Sequence, residues 1–314
     1  MYTSSSIKNN PVKRMRFLMN TFCSIQAEGE DGLSAAEAIE EAFGELKRLE
    51  VKFSRYLADS EISRVNQAAR NSAVKVDSEV FELISRAWEI SRLTAGAFDI
   101  SLGAAIDFWR AQREAGTFPS QDVLDELKQR TGFENILLDQ QQQSVYFTKP
   151  GIQLDLGALA KGYALDKAVQ LLKARGISCG QLDLGGNIYV LDSQPQSIAI
   201  RNPLAPEKIA ATVELTGQAI STSANYERSF KIKGKCFGHL LDPLTGSPVE
   251  SDILSVSVIS EDAALADALS TAIFVSGMQK GMGLLGGMDG VEAVIISKGL
   301  WPEGIKVHQL KGGE

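Results

Sequence analysis

Leu154-Asp155-Leu156-Gly157-Ala158-Leu159-Ala160-Lys161-Gly162-Tyr163-Ala164-Leu165-Asp166 begins apolar, runs into a glycine and continues as an Ala/Leu-rich helix to about Ala174. The pattern is a strand feeding a helix N-terminus, where unpaired N–H groups and the positive end of the dipole favour an anion. Lys161 falls in the first turn, where a cation opposes the dipole. Some other benefit has to offset that, and a phosphate is the obvious one. The bland alternative is a solvated lysine on an ordinary amphipathic helix.

Downstream of this helix, strands are expected near 181–184, 188–192, 197–201 and 209–215, then at Ile253–Ser260 and Val291–Ser297. Upstream, residues 14–27 alternate enough to be a strand. Ser34 with Glu37 reads as a capping box, with Ile39, Phe43, Leu46 and Phe53 on one helical face. Val74–Val76 reads as a short strand, with Asp77 or Ser78 capping a helix to about Thr94; Ser120 caps another ending at Gly132. Ile136–Asp139 and Ser144–Thr148 flank a glutamine turn and read as a hairpin. Residues 1–13 are polar and pattern-free, and are expected to be disordered. The mixture is α+β with a mostly antiparallel sheet and flanking helices, and no repeat or linker interrupts it.

Two further runs carry chemistry. In Ala264-Leu265-Ala266-Asp267-Ala268-Leu269-Ser270-Thr271-Ala272, Asp267 and Thr271 are four apart on an otherwise apolar helix. Burying them is costly unless something pairs with them. As hard oxygen ligands they suit Mg²⁺ or Ca²⁺ rather than Zn²⁺; the alternative is a local Asp–Thr hydrogen bond at a helix start. In Gly238-His239-Leu240-Leu241-Asp242-Pro243-Leu244-Thr245-Gly246, a proline-led turn leaves an imidazole and a carboxylate to face a ligand. His308, in a polar stretch after Pro302 and Gly304, reads as a solvated surface histidine.

These three runs resemble the ApbE family, the FAD:protein FMN transferases. Arg55-Tyr56-Leu57-Ala58-Asp59-Ser60-Glu61-Ile62-Ser63-Arg64-Val65-Asn66 is similar to the family's early serine-glutamate-asparagine motif. Gly96-Ala97-Phe98-Asp99-Ile100-Ser101 is similar to its flavin-contacting segment, and Leu182-Asp183-Leu184-Gly185-Gly186-Asn187 to its double-glycine turn. Ala219–Arg228 is similar to the segment leading to the histidine loop. Departures are Met19-Asn20-Thr21 in place of Met-Gly-Thr, and Ser223-Ala224 in place of a serine-glycine pair. The resemblance covers roughly residues 15–298 and implies one compact domain over 14–310.

It further implies a Mg²⁺-dependent transfer of FMN from FAD to a Thr or Ser of a target protein, a redox or respiratory subunit, joined by a phosphoester, with AMP released. Such phosphoryl chemistry needs neutralised phosphates, an oriented nucleophile and a proton acceptor. Asp267, Thr271 and the backbone carbonyl of Ala158 match the family's metal site. Lys161 adds charge on the same phosphates. His239 is the candidate general base, because an imidazole titrates near neutrality. Asp242 either orients it or holds the backbone turn. Flavin contacts fall on Met19, Tyr56, Ala97, Phe98 and Asp99; Tyr56 and Phe98 offer rings for stacking, with ordinary core packing as the alternative. The same residues would serve a Mg²⁺-dependent FAD pyrophosphatase with water as nucleophile. The rival from another class is a non-catalytic flavin-binding protein.

Composition narrows the partners. A net charge of −7 with no basic run argues against nucleic acid, so a polyanion such as FAD has to be met by a local cation or a metal. No apolar stretch reaches the length of a membrane span. Met15 to Phe22 is too short and polar for a signal-peptide core, and Cys23 lacks a lipoprotein-type small residue before it, so it is expected in a first strand. Three cysteines, Cys23, Cys179 and Cys236, form no disulfide framework; a cytoplasmic protein is expected, with export as the alternative.

Overall fold

The stretch expected to be one strand over 14–27 is a hairpin, Val12–Leu18 (β1) and Thr21–Glu28 (β2), turning at Met19 and Asn20. Both turn residues have positive φ, 51° and 59°. A two-residue hairpin of this kind needs left-handed backbone at both positions; Asn tolerates it, and the Met19 N–H is anchored by Glu50 Oε1 at 2.7 Å. The structure, a computed structural model, describes residues 11–29, 32–225, 229–232, 234–299 and 304–313. Residues 1–10 of the expected disordered segment, and Tyr226–Arg228 of the motif before the histidine loop, lie outside the described residues.

The hairpin opens an eight-stranded sheet that continues with Cys179–Leu184 (β3), Asn187–Val190 (β4), Ala219–Ala224 (β5), Ile253–Ser260 (β6), Glu292–Lys298 (β7) and Ile305–Lys311 (β8). Spatial order follows chain order and every neighbouring pair is antiparallel. Among the described residues the parallel pairing is a lone bridge between Leu102 and Gln153. The expected polar tail around His308 is in fact β8: its backbone pairs with Ile295, and its Nε2 lies 3.3 Å from the Ser297 hydroxyl.

Helices fill the chain between sheet strands. After β2 come Gly32–Phe53 (α1), Glu61–Ala68 (α2), Ser78–Leu93 (α3), Gly103–Ala115 (α4), Gln121–Lys128 (α5) and Ala160–Ala174 (α6). Between β6 and β7 lie Ala263–Ser276 (α7) and Met278–Leu285 (α8), the latter inside the expected Gly-rich connection. α1 starts at Gly32, two residues before the expected cap, so Ser34 sits within its first turn. Asp77 does cap α3, accepting the Glu79 N–H at 2.9 Å. The expected hairpin at 136–147 forms, joined by Val74–Lys75 into a three-stranded sheet.

One face of the main sheet carries the helices. Cys23, Ile25 and Ala27 alternate inward from β2 onto Ile39, Phe43 and Leu46 of α1 and Leu165 and Val169 of α6. Burial pushes the Cys23 thiol up to about 11. α7 is apolar around most of its circumference, apart from Asp267, Ser270 and Thr271, because it is enclosed by α6, α8 and strands β5 and β6. The other face is covered by a long hairpin, Gln196–Asn202 with Ala205–Leu215, whose Ile198, Ile200 and Leu215 pack on Ile220, Ile259 and Val294. A smaller cluster joins Trp109 of α4 and Leu124 of α5 to Phe237 and Leu241. The cleft described next lies between this cluster and the sheet ends.

Candidate active site

The floor of the cleft is where α6 meets α7. A Cβ on Gly162 would run into the Ala263 carbonyl, so only glycine lets the two helices approach this closely. That approach sets Asp267 against the start of α6. Asp267 is 5% exposed, and its Oδ2 accepts the Gly162 N–H at 3.1 Å. The N-cap residue Leu159 makes no side-chain cap bond, so a carboxylate from another helix supplies what the local sequence lacks. The Lys161 ammonium lies 3.4 Å from both Asp267 oxygens and 3.2 Å from the Gly157 carbonyl. It is therefore paired within the cleft rather than merely solvated. Thr271, one turn along α7, shares a 3.0 Å bond with the Ser223 hydroxyl. The local Asp267–Thr271 bond weighed from the sequence is thus replaced by tertiary partners.

α7 itself is held by Asp166 of α6. Its two oxygens accept the Ala263 and Ala264 N–H groups at 2.9 and 3.0 Å. Burial pushes this carboxyl up to about 6 despite those bonds.

Asp267, Thr271 and the Ala158 turn line one cleft. Their donor set is oxygen only and carries a single negative charge. Among the described residues there is no group of three or more His, Cys, Asp or Glu that could hold a metal. The set suits Mg²⁺, which keeps waters and takes substrate phosphates alongside one or two carboxylates, better than Ca²⁺, which wants six to eight oxygens.

The other wall holds the residues expected to meet a flavin. Met19, Tyr56, Ala97 and Asp99 all line the cleft. Tyr56 is 63% exposed, with the Arg55 and Arg110 guanidinium carbons 4.9 and 5.6 Å from its ring centroid. It is a cleft-mouth ring and not a core one. Phe98 also lines the cleft, but at 2% exposure its ring is packed in the core beneath it, the alternative weighed from the sequence, and is no open stacking platform. Asp99 turns both oxygens to the backbone, accepting from Ser101 at 2.7 Å and Phe133 at 3.0 Å. Burial pushes it up to about 6, against the pull of those bonds.

His239 is exposed and lines the cleft. Its loop is tied to the end of β5, because Asn225 packs against Gly238, where a Cβ would collide with the Asn225 side chain, and its Oδ1 accepts the Leu240 N–H. Trp109 holds the loop's far end through its Nε1, which donates to the Gly246 carbonyl at 2.7 Å. Asp242 does not line the cleft. Its Oδ1 accepts the Leu244 N–H at 2.8 Å and its carbonyl accepts the Gly246 N–H at 2.8 Å, so it braces its turn, as the second of its two readings has it.

Sequence reasoning passed over several lining residues. Arg55, with its side chain 5% exposed, pairs with Asp107 and Asp155; a lone arginine beside a serine gave little warning. Asn187 is 2% exposed with its Nδ2 unpartnered among the described residues. It closes the quoted double-glycine motif, so its position was legible although its role was not.

The cleft encloses about 1490 Å³, larger than the ~300–1,000 Å³ usual for a small-ligand pocket. Carboxylate, hydroxyl, ammonium and imidazole converge on it, with an aromatic ring at its mouth. Such a site has room for a second reactant and the groups that group transfer needs, and the curated relatives make the protein a transferase.

The chain belongs to the ApbE family, whose model matches residues 19–295. It is 32% identical over 302 residues to the FAD:protein FMN transferase of Treponema pallidum, covering 90% of this chain and 83% of the relative. The crystal structure of the ApbE protein of Thermotoga maritima superposes with a TM-score of 0.85 at 29% identity, covering 96% of this chain and 97% of that one. The Pseudomonas stutzeri flavinyl transferase ApbE, in its apo form, gives 0.83 at 26% identity, covering 98% and 96%.

Proposed function

We infer that this protein moves the FMN half of FAD onto a threonine or serine hydroxyl of a target protein. The observation that carries this reading is the convergence of Lys161, Asp267, Thr271 and His239 in one cleft. The acceptor oxygen attacks the FMN-side phosphorus, the bridging P–O bond breaks, AMP leaves with the bridging oxygen, and the acceptor's proton passes to His239. Bound Mg²⁺, held by Asp267, Thr271 and the Ala158 carbonyl, would neutralise charge building on the phosphates. Lys161 holds the same phosphates from the α6 side. Tyr56, with Met19 and Ala97 nearby, receives the ring system at the mouth, and Asp99 keeps the backbone of that wall in place.

Incubation with FAD, Mg²⁺ and a candidate acceptor protein is the test. Flavin fluorescence surviving on a denaturing gel, with one AMP per flavin attached, is the expected result. AMP and free FMN without covalent flavin would make water the nucleophile and the protein a pyrophosphatase. Tight FAD binding with no AMP at all would leave only a flavin carrier.

A further inference from the structure

Arg55 is buried where the loop after α1, the start of α4 and the segment before α6 meet, with its guanidinium also facing the Tyr56 ring, and the transfer chemistry gives it no part. Its Nη2 donates to Asp107 Oδ2 at 2.5 Å, the Gly103 carbonyl at 2.8 Å and Gln153 Oε1 at 3.3 Å, and its Nη1 donates to Asp107 Oδ1 at 3.1 Å. Its Nε lies 3.5 Å from Asp155 Oδ2. The other oxygen of Asp155 accepts the Gly157 N–H at 2.8 Å, and the Asp155 N–H donates to the Ile100 carbonyl at 2.8 Å. A chain of bonds thus runs from the loop after α1, through Asp155, into the turn that carries Ala158 and starts α6.

We propose that Arg55 is a positioning residue for the metal and phosphate end of the cleft: through Asp155 it fixes the turn that presents the Ala158 carbonyl. This rests on the Mg²⁺-dependent reading above. A guanidinium suits the task because its planar fork reaches several acceptors at once, which an ammonium on a flexible stem does not. Asp107 balances the charge from the α4 side, so the fork is held at both ends. Partners one step removed from a metal ligand typically change metal affinity about 10- to 100-fold when lost.

Arg55→Lys keeps a buried cation beside Asp107 but cannot span to Asp155. FAD binding, followed by flavin fluorescence while Mg²⁺ is titrated, should show half-saturating Mg²⁺ raised about tenfold. FAD affinity without metal and the melting temperature should stay close to wild type, and saturating Mg²⁺ should restore turnover. Asp155→Asn should raise the Mg²⁺ midpoint too, and the double variant should be no worse than the poorer single one, because both act through one link. An unchanged Mg²⁺ midpoint with a fallen melting temperature would make Arg55 a structural ion pair and overturn the proposal, as would strictly additive losses. Equal weakening of FAD with and without metal would overturn it by placing Arg55's effect at the flavin end, directly or through the Tyr56 ring that its guanidinium faces at 4.9 Å. Wild-type protein indifferent to Mg²⁺ would sink the metal-dependent part of the functional reading, and this proposal with it.

Discussion

At the residue scale, Asp267 does two things that pull in different directions. It caps α6 through Gly162 and offers its charge to the cleft, where Lys161 meets it at 3.4 Å. Asp267→Ala is expected to abolish Mg²⁺-dependent turnover, because a single-carboxylate site has none to spare. It should also cost about 1 kcal/mol of stability through the lost cap, read by denaturant titration. Full turnover in chelator-treated buffer would exclude the metal role. Lys161→Met should weaken FAD more than riboflavin, which lacks the pyrophosphate; equal weakening would place the ammonium elsewhere. His239→Ala should slow transfer by about 10²- to 10⁴-fold, roughly 3 to 5 kcal/mol of barrier, with FAD affinity little changed. His239→Asn should be as slow, and both should lose the rise of rate with pH. If Asn rescues the rate and keeps that rise, the histidine only braces its loop.

At the element scale, the placing of α7 decides whether the site exists. Gly162 sets its distance from α6, and Asp166 holds its first turn. Gly162→Ala is expected to cost about 1 to 3 kcal/mol in thermal or denaturant unfolding, through overpacking against Ala263. Asp99 and Asp166 add a pH dependence of definite sign. Both carboxyls sit at about 6 when folded, against 3.8 when unperturbed. Between about pH 4 and 6 the folded state therefore binds protons that the unfolded chain has released. Stability from these groups is complete below pH 4 and is lost as pH rises through 6. Asp99→Asn or Asp166→Asn should flatten that fall, whatever the offset in overall stability from one weakened N–H contact. Melting temperatures at pH 4.5 and 7 for wild type and variant check it; parallel curves would refute the shifts.

At the scale of the whole molecule, the cleft is shared between the sheet ends with α6 and α7 on one side and the Trp109 cluster with the Tyr56 loop on the other. A ligand bridging both should stabilise the protein as a unit. FAD with Mg²⁺ at a hundred times its dissociation constant should add about 2.7 kcal/mol to the unfolding free energy. Asp267→Ala should forfeit the Mg²⁺-dependent part of that gain and keep the flavin part. The antiparallel meander, in which spatial order follows chain order, also explains why the fold class was legible. Each strand pairs with the next sheet strand in the chain, so alternation and turn residues sufficed to find most of the sheet. What was missed lay where those signals are weak. The first hairpin turns on Met19-Asn20 with no glycine, β5 is a run of small and hydroxyl side chains, Ala219-Ile220-Ser221-Thr222-Ser223-Ala224, and β8, following Pro302 and Gly304, reads as a tail.

The sequence by itself determined the strands with clear alternation, the helix after Gly157, which begins at Ala160, and the set of residues from which a site could be built, because those depend on local period and residue chemistry. It also carried the family resemblance that the comparisons bear out. Only the tertiary structure decided which members of that set share a cleft. It brought Lys161 to Asp267 across 106 positions and Thr271 to Ser223 across 48. It sent Phe98 into the core, left Tyr56 at the mouth and gave Asp242 to its turn. None of these follows from the local pattern of the chain. An aromatic beside a glycine looks alike whether its ring is packed or open, and a carboxylate in a turn looks alike whether it faces a ligand or the backbone. Burial and partner choice are settled by elements far apart in sequence, and here by how closely α6 and α7 can approach at one glycine.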